Sequence, residues 1–310
     1  MQTELRTLIQ LFLLPEADID RQITSRMMNT RTFISYKGYK VVPAHIDWIK
    51  DTGERRQTAC GREIQIWELN PINDETALSA WAAHFRHHYC ADADLPALVA
   101  GTGKSNAEYL NTILFPDEKV APGPSLRSGD FGEILVADFI EFILGYWCPR
   151  ELRYQDRWNR QDSTKGCDIV GFKFVNENGE HPNDELYVFE SKSGLSATEK
   201  NRLQDAVTDS MKDHLREAMT LNAMKQRLLV RGKAPEVGAV QRFQNETERP
   251  FRRISGAAAV LDIDVFNGTN FEETDTDGHK NAENLRLLVI RGASLMKLVH
   301  ALYERAANEA

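Results

Sequence analysis

The sequence predicts an α/β protein: a mixed sheet flanked by helices over residues 121–310, preceded by a smaller α+β domain over residues 1–120. Three observations carry this. Short apolar runs of strand length alternate with longer amphipathic stretches, a pattern that packs as a sheet between helical layers. The segment "FPDEKVAPGPSLRSGD" (115–130) holds three prolines and interrupts any regular element, marking a boundary. A chain of 310 residues is also long enough for two ordinary domains.

In chain order, "RTFISYKGYKVV" (31–42) and "EIQIWEL" (63–69) read as strand-like pieces. "DETALSAWAAHFRHHYC" (74–90) reads as a helix capped by Asp74, with Trp81 and Phe85 at helical spacing. "GDFGEILVADFIEFILGYW" (129–147) is a second helix, with Leu135, Phe139, Phe142 and Ile143 on one face and Asp130 as its cap. Strands are expected at 152–158, 168–175 and 185–192, the last two joined by the turn-rich "NENGEHPND" as a hairpin. A long polar helix over about 196–225 follows, with Ser196 and Glu199 spaced as a capping box. Strands at 257–265 and 285–291 flank an acidic loop, and a helix over 293–307 ends the chain.

Composition excludes several classes. The apolar runs are too short to span a bilayer, and the N-terminal segment is acidic where a secretory leader would be basic. A cytoplasmic location is the expectation, with no membrane partner. The four cysteines (Cys60, Cys90, Cys148, Cys167) form no CxxC pair, so neither a disulfide framework nor a thiolate zinc site is expected. Net charge is -8, yet residues 225–256 carry eight Lys/Arg against three Glu. Arg249, Arg252 and Arg253 within this stretch are the expected contacts to a DNA phosphate backbone.

The chemistry concentrates around "ELYVFESKSG" (185–194), an apolar strand that ends in Glu190 and Lys192. Side chains two apart on a strand share a face, so a carboxylate and an ammonium lie together at the end of an apolar run, which is costly unless compensated. Asp168 opens the preceding strand, and antiparallel pairing would bring it beside Glu190. Two carboxylates that close repel unless a cation sits between them. Mg²⁺, a hard cation that takes one or two carboxylates and keeps several waters, suits the pair, with Mn²⁺ as a substitute. Such a cation acidifies water and neutralises charge on a phosphoryl oxygen, and Lys192 adds a compact positive charge beside it.

These residues resemble the PD-(D/E)xK nucleases of the restriction-endonuclease-like fold. The resemblance lies in "GE" on a helix (Gly132, Glu133), "KGCDIVGF" with Asp168, and "FESKSG" with Glu190 and Lys192, in that order. Cys167 stands where that family places a proline. The resemblance implies Asp168 and Glu190 as metal ligands, Lys192 as catalytic and Glu133 as an accessory ligand. "SLRSGDFGEIL", "KGCDIVGF" and "NAEYLNTILFP" are further similar to the HamA nuclease subunits of the bacterial Hachiman antiphage system. That likeness implies a DNA nuclease working beside a helicase subunit of the HamB kind, with residues 1–120 as the partner-docking domain. A nuclease fold without activity, binding DNA or scaffolding the helicase, is the alternative; the intact Asp168, Glu190 and Lys192 weigh against it.

Other motifs read as structural. "GTGKS" (101–105) has Leu98 where a phosphate-binding loop needs glycine, and reads as a capped turn into a helix over 105–113. "ETDTDG" (273–278) lacks the closing glutamate of a calcium loop. His84 and His88, one helical turn apart, have no nearby third zinc ligand in the sequence and read as a polar helix face.

Overall fold

The computed structural model describes residues 32–35, 38–150, 152–176 and 179–310. The chain divides after Val42. In the first unit, β1 (Thr32–Ser35) and β2 (Gly38–Val41) pair antiparallel.

The second unit, Pro43–Ala310, is built on a six-stranded mixed sheet. Its elements in order are β3 (Ile49–Gln57), β4 (Glu63–Leu69), α1 (Glu75–Arg86), α2 (Leu95–Val99), α3 (Asn106–Tyr109), α4 (Gly123–Asp138), β5 (Ile169–Lys173) and β6 (Glu185–Gly194). They continue with α5 (Arg202–Ser210), α6 (Asp213–Val230), α7 (Ala234–Gln241), β7 (Arg252–Asp262), α8 (Ile263–Gly268), β8 (Leu285–Gly292) and α9 (Leu295–Asn308). The sheet order is β3-β4-β8-β7-β6-β5; β4, β8, β7 and β6 run parallel, and the edge strands β3 and β5 are antiparallel to their neighbours. The expected α/β class is the observed one.

The expected boundary at residue 120 does not divide this sheet. β3 and β4 precede it, yet Ile64 and Ile66 of β4 are fully buried in one core with Ala257, Ala259, Leu287 and Val289. Burying that apolar face requires the strands on both sides of residue 120 to share one sheet.

Several elements start or stop elsewhere than the pattern suggests. α4 begins at Gly123, six residues before the expected start, and runs on into a π-helical turn over Phe139–Ile143. Asp130 is therefore not a cap. It lies buried inside the helix, where Arg157 donates to both of its oxygens and the Tyr89 hydroxyl donates at 2.5 Å. Residues 152–158 form turns rather than a strand, because Arg153, Tyr154 and Arg157 reach inward to acids of α4. The expected helix over 196–225 is two helices. Asn201, not Ser196, caps the first by accepting from the Gln204 N–H at 3.1 Å, and the chain breaks at 211–212 before α6. The capped turn expected at "GTGKS" is present: Ser105 and Glu108 form a capping box at the start of α3.

The sheet is enclosed by α4 on one face of β6 and by α5 on the other face of β6 and β7. Gly132 makes the first contact possible. A Cβ there would lie 2.1 Å from the Ser193 hydroxyl, so even alanine would force that hydroxyl to turn away. That close approach brings the next residue, Glu133, toward the end of β5. Beyond β5, Trp147 bridges Phe172 and covers the outer edge of the sheet there.

Candidate active site

β5 and β6 pair antiparallel, with Ile169 opposite Phe189. One further step of that register sets Asp168 beside Glu190, as the sequence suggests. The Ser191 N–H donates to Asp168 Oδ2 at 3.1 Å, tying the carboxylate to the neighbouring strand. Glu190 is 1% exposed, and its charge is met by Arg216 at 3.1 Å and Lys192 at 3.5 Å. The Lys192 ammonium lies closer to Asp209 of α5, at 2.8 Å, and Asp209 also holds Lys212 at 2.6 Å. The Glu190–Lys192 pair thus sits at the junction of β6 with the α5–α6 break.

Glu133 faces Asp168 from α4, but its carboxylate is already engaged. Arg153 donates to Glu133 Oε2 at 3.0 Å and Tyr154 donates to the same oxygen at 3.1 Å. The Arg153 guanidinium also lies 3.7 Å from Asp168, so it bridges the two acids. A cavity of about 20 Å³ between Glu133, Arg153, Asp168 and Arg227 has room for about one water.

A fourth acid, Asp213, completes the cluster. It opens α6, is 5% exposed, and its carboxyl faces that of Glu190. The sequence reading missed it because it falls in the middle of a stretch that reads as one continuous helix.

Burial pushes these carboxyls far above their ordinary values, and their mutual repulsion adds to it. Asp168 rises to about 8, from burial and then from Glu190. Glu190 and Asp213 each rise to about 7, chiefly from burial, as does Glu133, with Asp168 as the second cause. Such groups bind protons more tightly folded than unfolded. Their contribution to stability is complete below about pH 4 and is lost as pH rises toward about 8. In cation-free buffer, the melting temperature of an Asp168→Asn protein should therefore gain on the parent's across that window. A constant difference would show that Asp168 does not carry the effect.

Asp168, Glu190 and Asp213 are hard oxygen donors close enough to repel one another, which fits a divalent cation of the Mg²⁺ or Mn²⁺ kind. Glu133 fits less well, because one of its oxygens is spent on Arg153 and Tyr154.

The three arginines expected on DNA do not form one patch. Arg249 pairs with Glu180 and Arg252 with Glu185, both at 3.2 Å. Adjacent residues on β7 point to opposite faces, and Arg253 is gripped by Glu217 at 2.8 Å and Glu246 at 3.1 Å.

His84 of α1 and His88 just beyond its end face inward instead of forming a polar surface, and only His87 is exposed among the three. His84 and His45 each meet Asp138 at 2.9 Å, and His88 is buried against Arg150. His45, His84 and Asp138 offer three donor atoms within 4.8 Å of one another. The Arg150 guanidinium also bonds Asp138, however, and supplies the positive charge that a cation would bring.

Fold and site together define an α/β protein with a buried centre of carboxylates and one lysine at adjoining strand ends. The chain belongs to the HamA family, whose model matches residues 43–306. Membership points to a role in Hachiman defence. No curated protein and no solved structure matches the chain. Among the described residues, no helix is long and apolar enough to cross a membrane.

Proposed function

We propose that this protein is a metal-dependent DNA nuclease of the PD-(D/E)xK type, the effector of a Hachiman complex that includes a helicase. The observation that carries the reading is the meeting of Asp168, Glu190 and Lys192 at adjoining positions of β5 and β6. Nothing in the sheet requires two repelling acids and a lysine there, whereas phosphodiester hydrolysis does. Asp168 and Glu190 would hold Mg²⁺, or Mn²⁺ in its place. When bound, the ion supplies Lewis acidity toward a phosphoryl oxygen and toward water.

The remaining work falls to the protein. Lys192, held by Asp209 and Glu190, presents a fixed ammonium where negative charge develops on the phosphate. Arg216 neutralises the other oxygen of Glu190 and so holds that carboxylate in place. Arg153 keeps Glu133 and Asp168 in place. Arg249, Arg252 and Arg253 take no part in this reading, since each is paired to an acid. The test is degradation of supercoiled plasmid by the purified chain, alone and with its helicase. Loss of full-length DNA with Mg²⁺, and protection by EDTA, are expected; intact plasmid in every Mg²⁺ condition would refute the assignment.

Helicase docking by the N-terminal region rests on the family likeness. Deleting residues 1–120 would remove two strands of the sheet, so that deletion cannot separate docking from folding. Deleting residues 1–42 spares the sheet. If docking lies in that segment, the truncated chain folds but no longer co-purifies with the helicase. Undiminished co-purification would move the docking surface to residues 43–120 or beyond.

A further inference from the structure

Asp213 forms no ion pair among the described residues; its carboxyl lies against the Glu190 carboxyl and the Cys167 thiol. Neither carboxylate oxygen has a hydrogen-bond partner among the described residues, and the side chain is 5% exposed. The nearby Cys167 thiol donates to the main-chain oxygen of Asp213, at 3.9 Å, and beside the carboxyl it is a weak donor, too weak to meet a full charge. Asp213 is the first residue of α6 rather than its cap, so it does not satisfy the free N–H groups there. Arg216, the closest cation on the same helix, donates to Glu190. A buried carboxylate without hydrogen bonds is strongly disfavoured unless it is protonated or meets a cation.

The break between α5 and α6 is what aims it. A continuous helix through 211–212 would alter the direction in which α6 leaves Lys212, and with it the placement of Asp213 against Glu190. Just before the break, in the last turn of α5, Asp209 holds Lys192, so the lysine and the fourth acid lie on either side of one interruption of the helix.

We propose that Asp213 is a direct ligand of the divalent cation, acting with Asp168 and Glu190. This rests on the nuclease reading above and extends its ligand set to a residue on the following helix. Asp168 and Asp213 both lie against Glu190 and repel it and each other, while Glu133, the accessory ligand implied by the resemblance, is turned toward Arg153 and Tyr154. The competing explanation is a single proton shared between Asp213 and Glu190. An Asp213→Asn protein separates the two, because its amide can donate to Glu190 in place of that proton but carries no charge for a cation.

The experiment is Mn²⁺ binding to the full-length protein without DNA. It is read by titration calorimetry and by the rise in melting temperature that Mn²⁺ produces. Parent, Asp213→Asn, Asp213→Ser and Asp168→Asn proteins are compared. Loss of a ligand should weaken Mn²⁺ binding by at least about tenfold, the scale on which even indirect partners of metal sites act. The Mn²⁺-induced rise in melting temperature should shrink with it, while the melting temperature without metal stays level or increases. Parent-like Mn²⁺ binding by a folded Asp213→Asn or Asp213→Ser protein, with binding lost in Asp168→Asn, overturns the Asp213 assignment alone. No Mn²⁺ binding by the parent overturns the metal reading of the whole site, and this inference with it.

Discussion

DNA cleavage by a Lys192→Ala protein should fall about 10²–10³-fold, the usual effect of removing one fixed charge from a transition state. Its thermal midpoint should stay close to the parent's. The structure explains why the two readouts separate. Lys192 bridges Asp209 and Glu190, and each of those acids has a second cation: Lys212 on Asp209 at 2.6 Å, and Arg216 on Glu190 at 3.1 Å. Removing the ammonium therefore leaves neither carboxylate alone. The side chain is 29% exposed, where an ion pair contributes at most about 1 kcal/mol. A phosphate in the site has no such reserve, because Lys212 and Arg216 are committed to the acids. If the pair were only a structural ion pair, the pattern would invert, with a lower midpoint and undiminished cleavage. Plasmid degradation and thermal melting on one preparation decide between them.

What the sequence revealed follows the burial of each element. β4, β6 and β8 are legible because their apolar residues are buried in the sheet, and "EIQIWEL" matches its strand to the residue. β3 is not, because "IKDTGERRQ" is an edge strand that buries little beyond Ile49; charged edges discourage pairing with other chains but erase the alternating signal. Asp168, Glu190 and Lys192 could be placed because a two-residue period and one hairpin fix their relation. Asp213 could not, since "SMKDHL" contains no residue that must break a helix, and the break comes from tertiary packing. Charge counting over 225–256 says little about where cations are free, for a related reason. It adds up cations without their partners, and Arg242, for example, is buried on Asp184 at 3.0 Å.

An Asp138→Ala protein should lose about 3–5 kcal/mol of stability, the usual cost of removing one partner from a buried ion pair. Asp138 is fully buried on α4. It accepts from His45 and His84 at 2.9 Å each, and Arg150 bonds the oxygen that His84 uses. Burial alone would raise its carboxyl, but Arg150 and the two histidines override this and hold it well below the usual carboxylate range. Alanine would leave Arg150 with only Glu141, at 3.1 Å, to meet its charge in a site where it is 9% exposed. His45, stacked on Trp81 with its other ring nitrogen already unpartnered, would lose its one hydrogen bond. Asp138→Asn keeps one acceptor and should cost less. The network joins His45 and His84, before residue 120, to α4 after it, so the loss should appear in one cooperative urea transition and not as separate melting of an N-terminal part. Because Arg150 already supplies the positive charge, a chelator should leave the urea midpoint of an Asp168→Asn protein, in which the acid cluster is disabled, unmoved. A chelator-sensitive midpoint, persisting in Asp168→Asn but abolished in Asp138→Ala, would mean that His45, His84 and Asp138 hold an ion after all. A loss below about 1 kcal/mol in Asp138→Ala would mean that Glu141 and His88 suffice to hold Arg150.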